Sequence, residues 1–150
     1  MKAIILTYAP VTDREKSLIN KSNLLKIAVN HAPYKADYRV IRDCFYDSYK
    51  NYSDKLIFLD GYIIKQTDTP NDNNGLYFMG GSITTAIDFT IQQGATDIIL
   101  IANNTVNGED FQQCINKGII ELKKYANLYK YTEDENFDLP FKSIKEFMIG

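Results

Sequence analysis

A chain of 150 residues, 45% of them apolar and 13% aromatic, is long enough to bury one sizeable core and short enough to be one domain. Its net charge of -2, with acidic and basic residues interspersed, offers no extended positive face for nucleic acid, and no apolar run approaches the roughly 20 residues that cross a bilayer. Two distant cysteines, Cys44 and Cys114, and one histidine do not supply the four ligands of an ordinary zinc site or a disulfide framework, so no metal and no cofactor is expected.

Met1-Lys2 runs directly into Ala3-Ile4-Ile5-Leu6, which is too short for a signal-peptide core and lacks a small-residue cleavage pattern. Residues 2–8 are therefore expected to form the first strand of a cytoplasmic protein. Thr12 and Glu15 have capping-box spacing and open a helix that carries Leu18 and Ile19 and gives way at Asn20-Lys21-Ser22. Strands are predicted at 25–30 (LKIAVN), 38–42 (YRVIR) and 56–60 (LIFLD), with a short tyrosine-rich helix around 44–51. Tyr46 and Tyr49, at helical spacing on it, are expected to pack on the sheet.

A polar loop at 66–75 (QTDTPNDNNG) precedes a helix from Ser82, in which Ile83, Ala86, Ile87 and Ile91 recur on one face and which Gly94 ends. The loop is no calcium site, because aligning Gly75 with the sixth loop position places Pro70 at the first and Gly81 at the twelfth. A strand at 97–102 (DIILIA) follows. The next helix, from Glu109 to about Tyr125, turns Phe111, Cys114, Ile115, Ile119 and Leu122 inward. A strand at 128–131 and a helical turn at 143–148, with capping-box spacing between Ser143 and Glu146, complete the chain. Continuous apolar strands alternating with helices predict a single α/β, Rossmann-like domain over 1–150, with a mainly parallel sheet and helices on both faces.

Such sheets bind ligands at the carboxyl ends of their strands, which here carry Tyr8, Asn30, Asp43, Asp60, Asn103 and Asn104. Gly80 and Gly81 let a ligand approach the backbone, while Ser82, as an N-cap, and the first amides of the following helix would favour a phosphate or carboxylate. The chain contains neither G-x-G-x-x-G nor G-x-x-x-x-G-K-[ST]. His31 follows Asn30 at a strand end, where it could act as a general base oriented by a carboxylate such as Asp43, although a histidine there is more simply a loop residue. Nothing near Cys44 in sequence lowers its pKa, so it reads as an inert thiol.

The stretch MGGSITTAIDFTIQQGATDIILIANN resembles the Gly-Gly-Ser, helix, glycine and strand segment of bacterial glycosyltransferases that use CMP-activated nonulosonic acids. These are the motility-accessory-factor family and, more distantly, the small bacterial sialyltransferases. LKIAVNHAPYKADYRVIRD (25–43) and the tail from Cys114 to Met148 are similar to the same family in the same order. The resemblance implies a metal-independent Rossmann-like domain that binds a cytidine nucleotide or CMP-sugar, with Asn30, Asp43, Gly80, Gly81 and Ser82 as contacts.

The chain departs from that pattern at three places. Thr7-Tyr8-Ala9-Pro10-Val11-Thr12 replaces a glycine-containing first turn, Ala102-Asn103-Asn104 replaces Gly-x-Asp, and Thr105-Val106-Asn107-Gly108 stands where a longer lid with a histidine is expected. The resemblance therefore implies a binding domain reduced in catalysis. Two alternatives stand beside it: a working transferase or hydrolase that uses His31 or a cleft carboxylate, and an interaction module that has lost its ligand. A homo-oligomer is compatible with each.

Overall fold

A computed structural model describes residues 1–41, 49, 51–58, 82–102, 109–133 and 137–150. Strands β1 (Lys2–Leu6), β2 (Leu25–Val29), β3 (Tyr38–Ile41), β4 (Lys55–Phe58), β5 (Asp97–Ile101) and β6 (Asn127–Lys130) alternate with helices α1 (Asp13–Lys21), α2 (Ser82–Gln92), α3 (Glu109–Leu122) and α4 (Ile144–Ile149). The strands form one sheet in the order β4-β3-β2-β1-β5-β6, and every adjacent pair is parallel. No helix among the described residues is long and apolar enough to cross a membrane.

This order explains where the helices lie. The chain steps away from β1 through β2, β3 and β4, then returns to β5 on the other side of β1 and continues to β6. Right-handed crossovers in opposite directions place their helices on opposite faces of a sheet. Alternate strand residues divide accordingly. Ala3, Ile5, Ile27, Val29, Ile98 and Leu100 pack with Ala86, Ile87 and Ile91 of α2 and with Ile115, Ile119 and Leu122 of α3. On the other face Ile4, Leu6, Ala28, Ile99 and Ile101 meet Ile19 of α1 and Ile144 and Phe147 of α4. The sheet is apolar on both faces because both are covered.

Local chemistry sets the ends of these elements. The Thr12 hydroxyl accepts from the Glu15 amide at 3.1 Å and the Glu15 carboxylate accepts from the Thr12 amide at 2.9 Å, closing the capping box at the start of α1. Ser143 caps α4 through the Glu146 amide at 3.1 Å. β1 stops at Leu6 because the Thr7 hydroxyl turns to the Ile101 carbonyl at 2.7 Å and accepts from the Ala9 amide at 3.2 Å, drawing the chain out of extended geometry. β2 stops at Val29 because Asn30 has a φ of 49°, in the left-handed region that asparagine tolerates better than most residues. The side chains of Phe111 and Cys114, and the 66–75 loop, lie outside the described residues.

At the end of α2 the Gly94 amide donates to the Ile91 carbonyl at 2.9 Å and the Ala95 amide to the Thr90 carbonyl at 3.3 Å, the paired bonds of a Schellman motif. Gly94 has a φ of 98°, and a Cβ built there would meet the Met1 methyl at an ordinary 3.5 Å. Space is therefore available and backbone strain is the only penalty. Gly94→Ala is expected to destabilise the fold by about 1–2 kcal/mol with no change in the urea m-value, as checked by equilibrium denaturation.

Candidate functional site

The strand order reverses between β1 and β5, and the carboxyl ends of the strands at such a switch point are where parallel sheets of this kind take ligands. α2 ends close to the amino end of β5 and its eleven residues span about 16 Å, the length of a strand, so Ser82 starts at the carboxyl edge. Among the described residues, the turn after β1, the turn after β2, the segment after β6 and the first turn of α2 meet this edge.

The turn after β1 is pinned rather than loose. The Ile101 carbonyl accepts both the Thr7 amide at 3.2 Å and the Thr7 hydroxyl, and Ala9 is buried. The Tyr131 hydroxyl donates to the Pro10 carbonyl at 2.9 Å, joining this turn to the segment that follows β6. Tyr8, between the two anchored residues, is 63% exposed. The amino terminus of α1 just beyond is already supplied with negative charge: Asp13 and Glu15 stand in its first turn and the Glu15 carboxylate occupies the Thr12 amide.

The turn after β2 is organised by Arg39, which is fully buried in β3. Its Nε donates to Asp54 Oδ1 at 3.1 Å and one terminal nitrogen to Asp54 Oδ2 at 3.0 Å and the Tyr34 carbonyl at 2.6 Å. The other terminal nitrogen donates to the carbonyls of Asn30 at 2.6 Å and Ala32 at 3.0 Å. These five bonds use all five guanidinium donors. Asp54 also accepts the Ala36 amide at 3.1 Å. The guanidinium carbon lies 3.8 Å from the centroid of the Tyr52 ring, and the Tyr52 hydroxyl is 3.0 Å from His31 Nδ1. His31 in turn stacks on the buried Tyr49 at a centroid distance of 4.0 Å and an interplanar angle of 6°. Tyr49 therefore packs inside, as its spacing predicts, and half-buried His31 is a member of a packed aromatic group.

α2 is buried along eight consecutive residues, Thr84–Ile91. The Thr90 hydroxyl returns to the Ala86 carbonyl at 2.6 Å, and Thr84, Thr85 and Asp88, each with no exposed surface, are all engaged by neighbours. Ser82 is the first residue of the helix itself, not the residue before it as an N-cap would be. The first turn of α2 carries no acidic residue.

Of the residues expected to line the cleft, Asn30, His31 and Ser82 are described and all belong to the carboxyl edge. Asp43, Asp60, Gly80, Gly81 and Asn104 lie outside the described residues, as do Cys44 and Tyr46. Among the described residues no group of three His, Cys, Asp or Glu side chains could hold a metal. A groove of about 440 Å³ lined by Asn20, Lys26, Tyr34, Lys35 and Asp37 opens near the amino end of β2, away from this edge, and the Lys26 ammonium there is held by the Ser22 carbonyl at 2.6 Å. Comparison of the chain with known protein families, curated proteins and solved structures finds no match.

Sequence reasoning missed Arg39, Asp54 and Tyr52. The signal was present in YRVI, where an arginine at a strand position flanked by apolar residues needs a buried anion, but the partner's place in the chain was not legible. Breaking such a pair leaves a buried charge alone. Asp54→Ala is expected to cost about 3–5 kcal/mol in urea denaturation, whereas Arg39→Met with Asp54→Leu should recover much of that loss.

Burial first, and the Glu15 carboxylate second, hold the Tyr34 phenol above its ordinary value. Folding thus favours the neutral phenol. That contribution is complete below the ordinary tyrosine range and is lost as the pH rises through the raised value. Tyr34→Phe should flatten the fall in stability above about pH 10, measured by denaturation across a pH series.

Proposed function

We propose that this chain binds a small anionic ligand of the cytidine-nucleotide or CMP-sugar class at the carboxyl edge of its sheet, as a glycosyltransferase-like domain reduced in catalysis. The observation that carries this reading is the contrast between two helix starts at that edge. α1 begins with Asp13, Glu15 and a closed capping box, which repel an anion, whereas α2 begins at Ser82 with no acid in its first turn. An anion is therefore drawn to α2, the helix that follows Gly80-Gly81. The Gly-Gly-Ser corner is also the segment on which the resemblance to the CMP-nonulosonic-acid transferases rests, and it supplies the ligand class. Two separated cysteines with no disulfide framework fit a cytoplasmic setting.

His31 enters this reading as a supporting residue. Its ring stacks on Tyr49 and its Nδ1 faces the Tyr52 hydroxyl, an arrangement that fixes a turn and brings no described carboxylate to orient a base.

Titration calorimetry against CMP separates the alternatives. Ser82→Asp should weaken binding by about tenfold or more by placing a carboxylate where the anion sits, while leaving the helix as stable as before or slightly more so. Gly81→Val should abolish binding by obstructing the backbone approach, and His31→Ala should retain it. Equal affinity in the wild type and both corner variants would remove the anion site. Turnover of a CMP-sugar that His31→Ala destroys while binding persists would establish the working transferase instead.

A further inference from the structure

β6 is an edge strand, paired with β5 on one side only. Its hydrogen bonds show which groups face outward. The Asn127 amide donates to the Thr96 carbonyl at 2.8 Å, so Asn127 faces β5. Alternation along the strand then turns the Ala126 carbonyl and both backbone groups of Leu128 and Lys130 outward. At Lys130 the chain's own continuation meets them. The Lys130 amide donates to the Pro140 carbonyl and the Lys142 amide to the Lys130 carbonyl, each at 3.0 Å, around a parallel bridge between Lys130 and Phe141.

This pairing stops for a chemical reason. The next bond of the ladder would run from the amide of residue 140 to the Leu128 carbonyl, and residue 140 is a proline with no amide hydrogen. Just before it the Leu139 amide donates to the Phe137 carbonyl at 2.8 Å, which turns the chain off the strand. Among the described residues the Ala126 carbonyl and the amide and carbonyl of Leu128 therefore have no hydrogen-bond partner, although Leu128 is only 4% exposed. Ala126 and Leu128 line a groove of about 300 Å³ together with Lys123, Leu139 and Pro140. Backbone groups in so buried a residue are costly to leave unpaired, and an extended backbone is the group that pairs donor and acceptor together.

We propose that this groove takes an extended peptide segment of a partner protein, added antiparallel to β6 as a short seventh strand. The direction follows from the bonds on offer. In an antiparallel pair the residue opposite Leu128 exchanges two bonds with it, and the amide two residues later reaches the Ala126 carbonyl, so all three groups are met. A parallel segment would need an amide at the position that Pro140 fills. The segment must end or turn outward at Pro140. Its side chains are specified as well. The residue opposite Leu128 shares the α3 face with Leu128 and Leu139 and is apolar. Two residues later, on the same face at the Ala126 end, a carboxylate meets Lys123, whose ammonium reaches only the exposed Asp138, at 3.9 Å. This surface is independent of the anion site at Ser82.

The test uses the whole chain and a multivalent phage library of random heptapeptides, followed by synthetic acetylated peptides of the selected sequences. Selection should enrich an apolar residue two positions before Asp or Glu. Binding should slow hydrogen exchange at the Leu128 amide by about tenfold or more, while the amides of Asn127 and Tyr129, which face β5, change little. Methylating the peptide nitrogen of the apolar or of the acidic residue should weaken binding by about tenfold, and methylating the nitrogen between them by less than about twofold. Lys123→Glu should weaken it by about 2- to 10-fold at an unchanged melting temperature. Failure to enrich any sequence, peptides that bind without protecting the Leu128 amide, or equal losses at all three methylated positions would each overturn the proposal. So would self-association of the chain that protects the Leu128 amide, since the edge would then belong to a second copy.

Discussion

The fold turns on one buried cation. Arg39 sits inside β3 with no exposed surface, and its side chain is held by Asp54 and by the carbonyls of Asn30, Ala32 and Tyr34. A charge in that position is tolerable only if every donor is met, because the desolvation of an isolated ion exceeds anything packing can return. The planar fork of arginine fits this task. A lysine ammonium has three donors on a flexible stem and could not reach a carboxylate in bidentate fashion and three carbonyls together. The pair is thus better understood as a device that specifies geometry than as a source of net stability.

What it specifies is the route of the chain between parallel strands. β2 and β3 are joined only by residues 30–37, fewer than the dozen or so that a parallel connection usually takes, with no helix between. The connection works because Asn30 turns with a positive φ, its carbonyl and those of Ala32 and Tyr34 converge on one guanidinium, and Asp37 returns the chain through bonds to Lys26 in both directions. Asp54, just before β4, brings the next strand into the same arrangement. His31, Tyr49 and Tyr52 fill the space above it, with Tyr52 lying over the guanidinium. The carboxyl end of β2 is consequently occupied by the chain's own side chains.

Much of this architecture is written locally. The capping box at Thr12, the Ser143 cap and the glycine that ends α2 depend on residues a few positions apart and stand where their spacing predicts, although Glu146 accepts from the Ser143 hydroxyl and not from its amide, so the second box is only half formed. The strands are legible as apolar runs because both faces of the sheet are covered. The ends shift by a residue or two wherever a side chain competes with the ladder, as Thr7 does for β1. The interior of the site is less legible. Arg39 and Asp54 are fifteen positions apart and are joined only by folding, and Asn30 has the same letter whether it contacts a ligand or supplies a left-handed turn. In this structure its backbone does the second.

α2 shows how a polar sequence can form an interior helix. Its residues Thr84, Thr85, Asp88 and Thr90 would place it on a surface if polarity alone decided, yet Thr84–Ile91 are buried without a break. Burial is tolerated because the polar groups are satisfied: Thr90 bonds back to the preceding turn, and the other three are engaged by neighbours. A helix gripped on all sides resists rotation and fraying, and its Schellman end fixes it at the amino edge of the sheet. The amides of its first turn are then held in place before any ligand arrives. An anion arriving at Ser82 would meet donors that need little ordering, so more of the interaction appears as affinity. For the proposed anion site, the same packing that makes this helix part of the core also preorganises its first turn, which, unlike that of α1, carries no acidic residue.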